Sequence, residues 1–103
     1  MDGPLRAFLP SVGAHMTLKI ESVSDGKATT IRLIGRMQEG HLDELKAQIR
    51  IAMPTIELDL EQLSLVDVEV VRFFAVCERD GQSIVHCPPY IRDWIDKEAH
   101  SQR

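Results

Sequence analysis

The stretch Leu58–Phe74, LDLEQLSLVDVEVVRFF, decides how this chain is read. Leu58 and Leu60 flank Asp59 with the period of a strand that buries one face. From Asp67 onward Val70, Phe73, Phe74 and Cys77 recur at steps of three and four, the period of a helix. Asp67 stands where an N-cap belongs, and a carboxylate there accepts from free N–H groups of the first turn, worth about 0.5–2 kcal/mol. Strand-to-helix junctions of this kind hold phosphates in many α/β proteins. Here Asp67 is followed by Val68, Glu69, Val70 and Val71, with no Gly, Ser, Thr or Lys among them.

Working outward, TIELDL at 55–60 alternates, with Ile56, Leu58 and Leu60 inward and Glu57 and Asp59 outward. A six-residue loop then leads to Asp67. Upstream, TLKIESV at 17–23 and ATTIRLI at 28–34 flank Ser24-Asp25-Gly26-Lys27, a hairpin signal because Gly26 accepts positive φ. In EGHLDELKAQIRIA, Leu42, Leu45, Ile49 and Ala52 form one helical stripe, opposite Asp43, Lys46, Gln48 and Arg50, and Pro54 stops the helix. Downstream, Asp80-Gly81 ends the second helix near Arg79. SIVHC at 83–87 is a short strand, and Pro88-Pro89 pre-set a last helix that buries Ile91, Trp94 and Ile95. Asp93 and Lys97 pair four apart on its surface. The order β-β-α-β-α-β-α predicts an α/β fold with a small mixed β-sheet and packed helices.

The chain has 103 residues, enough for one small core. A net charge of −4 gives no electrostatic footprint for nucleic acid, and no apolar run approaches a membrane span. Residues 1–16 are Gly/Pro-rich, lack the pattern of a signal peptide, and read as a disordered leader, native or added during cloning. Residues 17–98 form the expected domain and 99–103 a polar tail. Without a secretory signal, Cys77 and Cys87 read as free thiols in a reducing cytoplasm.

Three stretches, IRLIGRMQEGHLDELKAQI, IELDLEQLSLVDVEVVRFF and GQSIVHCPPYIRDWI, together resemble a STAS domain over about Leu18 to Glu98. This is the fold of bacterial anti-sigma factor antagonists and of the cytoplasmic tails of sulfate transporters. The spacing from Asp59 to Asp67 around a hydrophobic run fits the family's strand, loop and acidic helix start. In the phosphorylated members, the Asp matching Asp67 is followed by Ser, then Ser or Thr, then Gly. The anti-sigma factor is the kinase, and by phosphorylating that Ser it ends its own inhibition. Val68 has no hydroxyl, so the resemblance implies the family's architecture without its switch.

Two further readings attach to the second helix. Glu69, two residues in, is placed to stabilise the helix dipole by about 0.3–1 kcal/mol. It is also placed as a partial mimic of a phosphorylated state, with one charge where phosphate carries about −1.5 to −2. At 100° per residue, Val68, Val71 and Ala75 form an arc separate from the core face, with Arg72 and Arg79 at its rim. That arc either packs under a neighbouring loop or helix or binds a partner, and in the family this helix and the loop before it face the partner. Asp59 and Asp67 suggest an acid/base pair, but no nucleophile or metal-ligand cluster accompanies them. Cys77, His86 and Cys87 lack paired metal-ligand spacing, and no metal or cofactor is expected. The resulting expectation is a cytoplasmic, non-enzymatic signalling module. Its partner is an anti-sigma factor or a larger signalling assembly, and self-association stays open. The alternative is a STAS domain that senses a small ligand or nucleotide.

Overall fold

The computed structural model describes residues 18–52 and 55–101. The expected leader and Pro54 lie outside them. Strands β1 (Leu18–Ser24) and β2 (Thr29–Met37) form the antiparallel hairpin. Gly26 at φ 90° makes its turn, and Asp25 Oδ1 accepts from the Lys27 and Ala28 N–H groups at 2.9 Å each. A 3-10 turn (Glu39–His41) leads into α1 (Leu42–Ala52), followed by β3 (Ile56–Asp59) and β4 (Leu63–Val66). Then come α2 (Val68–Arg79), β5 (Ser83–Val85) and α3 (Pro89–Ser101). The sheet has five strands and is mixed, as the order of elements implied.

Strand β4 departs from the expected loop at 61–66. β2 pairs in parallel with β3 through Thr29–Arg32, then with β4 through Gly35–Met37. β3 and β4 thus share one lane of the sheet, interrupted by a turn that the Leu63 N–H closes on the Leu60 carbonyl at 3.1 Å. Gly35, at φ 105°, sits where the register of β2 shifts between partners, a backbone conformation that side chains rarely adopt. β5 also ends two residues earlier than SIVHC suggested. His86 takes φ 55°, which is uncommon without glycine and turns the chain toward Pro88. α3 continues to Ser101, three residues past Glu98, where the tail was placed.

Both crossovers step away from β1, so a common hand sets α1 and α2 on the same face. That face supplies Ile31, Leu33, Leu58 and Leu60, all fully buried against Leu45, Val70 and Phe74. Burying each large apolar side chain contributes about 1.5–3 kcal/mol. The opposite face carries Lys19, Glu21, Arg32 and Glu57, all at least partly exposed.

α2 is buried on two sides, which corrects the expected exposed arc. Its sheet side holds Val70, Phe74 and Cys77, and α3 covers Val71 and Ala75, which are 0% and 7% exposed. Phe73, expected in the core, is only half-buried, with the Lys46 ammonium 5.5 Å from its ring centre. The helix therefore sits rotated from the sequence reading. α3 brings Ile91 and Ile95 into the core, and Arg92 Nη1 reaches Glu78 Oε2 of α2 at 2.8 Å. The C-terminus of α2 closes with Gly81 at φ 96°, its N–H on the Glu78 carbonyl and the Gln82 N–H on Cys77, both at 3.0 Å. Because Val71 is sealed under α3, Val71→Glu should lower stability by about 3–5 kcal/mol through an uncompensated buried charge. Val68→Glu, at a half-buried position in the first turn where a carboxylate can still reach water, should change it by about 1 kcal/mol or less. Urea denaturation measures both, and an unaffected Val71→Glu would mean that α3 does not cover this side.

Candidate functional site

The start of α2 is built around one carboxylate. Asp67, extended at φ −106° and ψ 177°, is the N-cap, and its Oδ1 accepts from the Val70 N–H at 3.1 Å. Its Oδ2 accepts from the Glu39 N–H at 2.8 Å, across 28 residues of sequence. The side chain therefore caps α2 and anchors the 3-10 turn that precedes α1. The sequence reading identified the first bond but had no signal for the second, which depends on β2 and β4 running side by side. The Gln38 N–H donates to His41 Nδ1 at 3.0 Å and closes that turn locally. Asp67 also lines a cleft of about 240 Å3 with Arg36, Met37, Gln38, Leu65 and Val66.

Val68, expected from the resemblance at the phosphorylated position, is half-buried in the first turn of α2. Ser64 has the nearby hydroxyl, and it donates to the Gly35 carbonyl at 2.8 Å. Glu69 pairs with Arg72 Nη1 at 3.1 Å, and Arg72 Nε donates to Glu98 of α3 at 3.0 Å. These hydrogen bonds, Glu98's first, push the Arg72 guanidinium above its ordinary value. Glu69 thus carries a charge that a neighbouring cation offsets. Of the expected partner strip, Val68 and Arg72 stand at this end of the helix. Ala75 and Arg79 lie further along, beside a cleft of about 370 Å3 shared with Glu78 and Ala99. Leu65 and Tyr90, which the sequence reading did not single out for binding, are large side chains 55% and 48% exposed. The Tyr90 hydroxyl donates to the Ser64 carbonyl, which holds the aromatic ring against the strand that presents Leu65.

Asp59 and Asp67 bond to different sets of residues. Asp59, expected on the wet side of its strand, is 5% exposed, because residues from three other segments cover it. Its Oδ1 accepts from the Glu61 N–H at 3.0 Å, while Oδ2 lies 3.4 Å from His86 Nδ1 and 3.6 Å from Arg32 Nε. Burial pushes this carboxyl up, but the Glu61 N–H, His86 and Arg32 together outweigh it and hold the group below its ordinary value. Arg32 also reaches Glu21 at 3.5 Å, and Lys19 reaches Glu21 at 3.1 Å, so alternating charges run across the sheet.

Cys77 and Cys87 are both free thiols. Burial, with Asp80 and Glu78 nearby, pushes Cys77 up to about 12 despite the opposing charge of Lys46, and burial also raises Cys87. Among the described residues neither cysteine joins His86 in a group of three potential metal ligands. No described helix is long and apolar enough to cross a membrane.

No protein-family model matches the chain, and no curated protein sequence does. Among solved structures, the chain is similar to an antisigma-factor antagonist STAS domain from Rhodobacter sphaeroides. The TM-score is 0.51 at 16% identity, covering 69% of this chain and 86% of that one. The fold is STAS-like. At that identity the likeness concerns the fold, and the chemistry of the α2 start rests on this chain's own residues.

Removing the Asp67 carboxylate should expose both of its roles. Asp67→Ala loses a cap and a bond between distant segments, about 2–3 kcal/mol together, whereas Asp67→Asn keeps one acceptor and should lose about half as much. Thermal unfolding checks the order of the two variants; equal losses would mean that the acceptor that asparagine retains contributes nothing, and an Asp67→Asn variant as stable as the wild type would mean that the second bond contributes nothing.

Proposed function

We propose that this chain is a non-enzymatic, cytoplasmic protein-binding module of bacterial signalling, and that its partner docks at the N-terminal end of α2. The observation that carries this reading is the exposed apolar pair Leu65 and Tyr90 beside the Asp67-capped helix start. Glu39, Glu69 and Arg72 supply charge around that helix start. An apolar or aromatic centre with a charged rim is how protein interfaces are built, and tyrosine is enriched at their energetic centres. The fold is shared with an antisigma-factor antagonist, so an anti-sigma factor is the partner class to which the reading leads.

Regulation in this reading does not pass through phosphorylation at the usual position. Val68 offers no acceptor, and the Ser64 hydroxyl is engaged by the Gly35 carbonyl. The partner is therefore released by competition, by its own conformational change, or by a change in concentration.

The partner surface differs from the arc expected from sequence. Val71 and Ala75 support it from beneath α3, while Val68, Arg72, Leu65 and Tyr90 form the accessible part. With an anti-sigma factor of the serine-kinase type as the titrant, Leu65→Glu and Tyr90→Ala should each weaken binding by about tenfold or more, as for central interface positions. Ile51→Glu, a change at a 78% exposed residue near the end of α1, should leave affinity unchanged. Incubation with that kinase and ATP should add no phosphate at residue 68. Wild-type affinity in both Leu65→Glu and Tyr90→Ala, with melting intact, would remove this surface as the docking site. Efficient modification of Ser64 would remove the phosphorylation-independent reading.

A further inference from the structure

Asp59, Glu61 and His86 come together from β3, the turn after it and the end of β5. One potential ligand atom from each lies within 4.8 Å of the other two. Asp59 is buried, yet its Oδ2 has no close hydrogen-bond partner among the described residues. His86 Nδ1 at 3.4 Å and Arg32 Nε at 3.6 Å both stand beyond the roughly 2.7–3.2 Å of an N–H···O bond. Asp59 is 5% exposed, its Oδ1 is bonded to the Glu61 N–H, and its Oδ2 makes only these two longer ion-pair contacts, which leaves room for a closer ligand.

The 3.4 Å separation has a second meaning. Two N/O ligands at about 2.0–2.1 Å from one tetrahedral zinc ion lie roughly 3.3–3.4 Å apart. Asp59 Oδ2 and His86 Nδ1 therefore already have the spacing of two ligands on a common ion. Glu61 and His86 are exposed, so their side chains can rotate to close the remaining distance. The Glu61 N–H on Asp59 Oδ1 fixes the carboxylate plane, as outer hydrogen bonds orient metal ligands elsewhere.

We propose that Asp59 Oδ2, a Glu61 carboxylate oxygen and His86 Nδ1 bind a divalent transition-metal ion of the zinc class, leaving a further position to water. An imidazole with two carboxylates suits zinc, cobalt or nickel and disfavours magnesium and calcium, which take oxygen ligands. The two carboxylates neutralise the ion. Arg32, which approaches the same Oδ2, remains paired with Glu21 at 3.5 Å and opposes the ion by charge. The site uses none of the cysteines and lies apart from the α2 residues assigned to the partner, so the two assignments stand or fall separately.

The test is calorimetric titration of zinc into metal-free protein near neutral pH, with cobalt(II) absorption as a second readout. One ion should bind per chain. His86→Ala and Glu61→Gln should each weaken binding by at least about tenfold, since changes even behind metal ligands cost about 10–100-fold. Arg32→Gln should tighten binding severalfold, because it removes the cation that competes for Oδ2. His86 and Glu61 are exposed side chains, so their variants should still fold and melt cooperatively, and the outcome does not depend on an Asp59 variant folding. Absence of saturable zinc binding would overturn the proposal. So would wild-type affinity in His86→Ala, loss of the ion on Cys87→Ser or His100→Ala instead, or weaker binding in Arg32→Gln.

Discussion

The nine residues of β2 must find hydrogen-bond partners along both edges, and along one edge they find them in two different strands. β1 runs antiparallel beside β2 from Thr29 to Gly35. On the other side β3 serves the first half of β2 and β4 the second, with Gly35 at the changeover. Without a residue tolerant of positive φ there, the strand would keep one register and the chain after Leu60 would have no lane to return to. That return brings Asp67 beside the end of β2, where one carboxylate ties the starts of two helical segments together.

The packing of α2 follows from the same arrangement. The sheet takes one side of the helix and α3 takes another, so Val71 and Ala75 are interior residues although they lie off the sheet-facing arc. A helix held on two sides has little flank to offer a partner. The large exposed side chains near its N-terminal end, Leu65 and Tyr90, emerge from neighbouring segments. At that end the STAS-like fold carries a capping carboxylate, Asp67, followed by Val68, which has no hydroxyl.

The charges across the sheet show a different use of the same scaffold. Glu21, Arg32 and Asp59 occupy registered positions on adjacent strands, and His86 is carried toward Asp59 by a left-handed turn just past β5. In the sequence Asp59 is one polar residue in an alternating strand, and nothing local marks it as buried. Its burial results from Arg32, Glu61 and His86 converging from separate segments, which is a property of strand order.

Much of the fold was legible because hydrophobic period and turn chemistry are local. The β1–β2 hairpin, α1, β3, the Asp67 cap, the Gly81 stop and the α3 stripe of Ile91 and Ile95 each follow from residues within a few positions of one another. Strand β4 was illegible because four residues without sustained alternation become a strand only when β2 supplies the hydrogen bonds. The rotation of α2 was misread because a helical wheel shows which residues are apolar, not how many neighbours cover them. Val71 looked like a surface residue until α3 was placed, and Leu65 looked like loop until β4 turned it outward. Local chemistry determined where elements begin and end; burial, and with it every candidate site, was decided by which distant segments the sheet brings side by side.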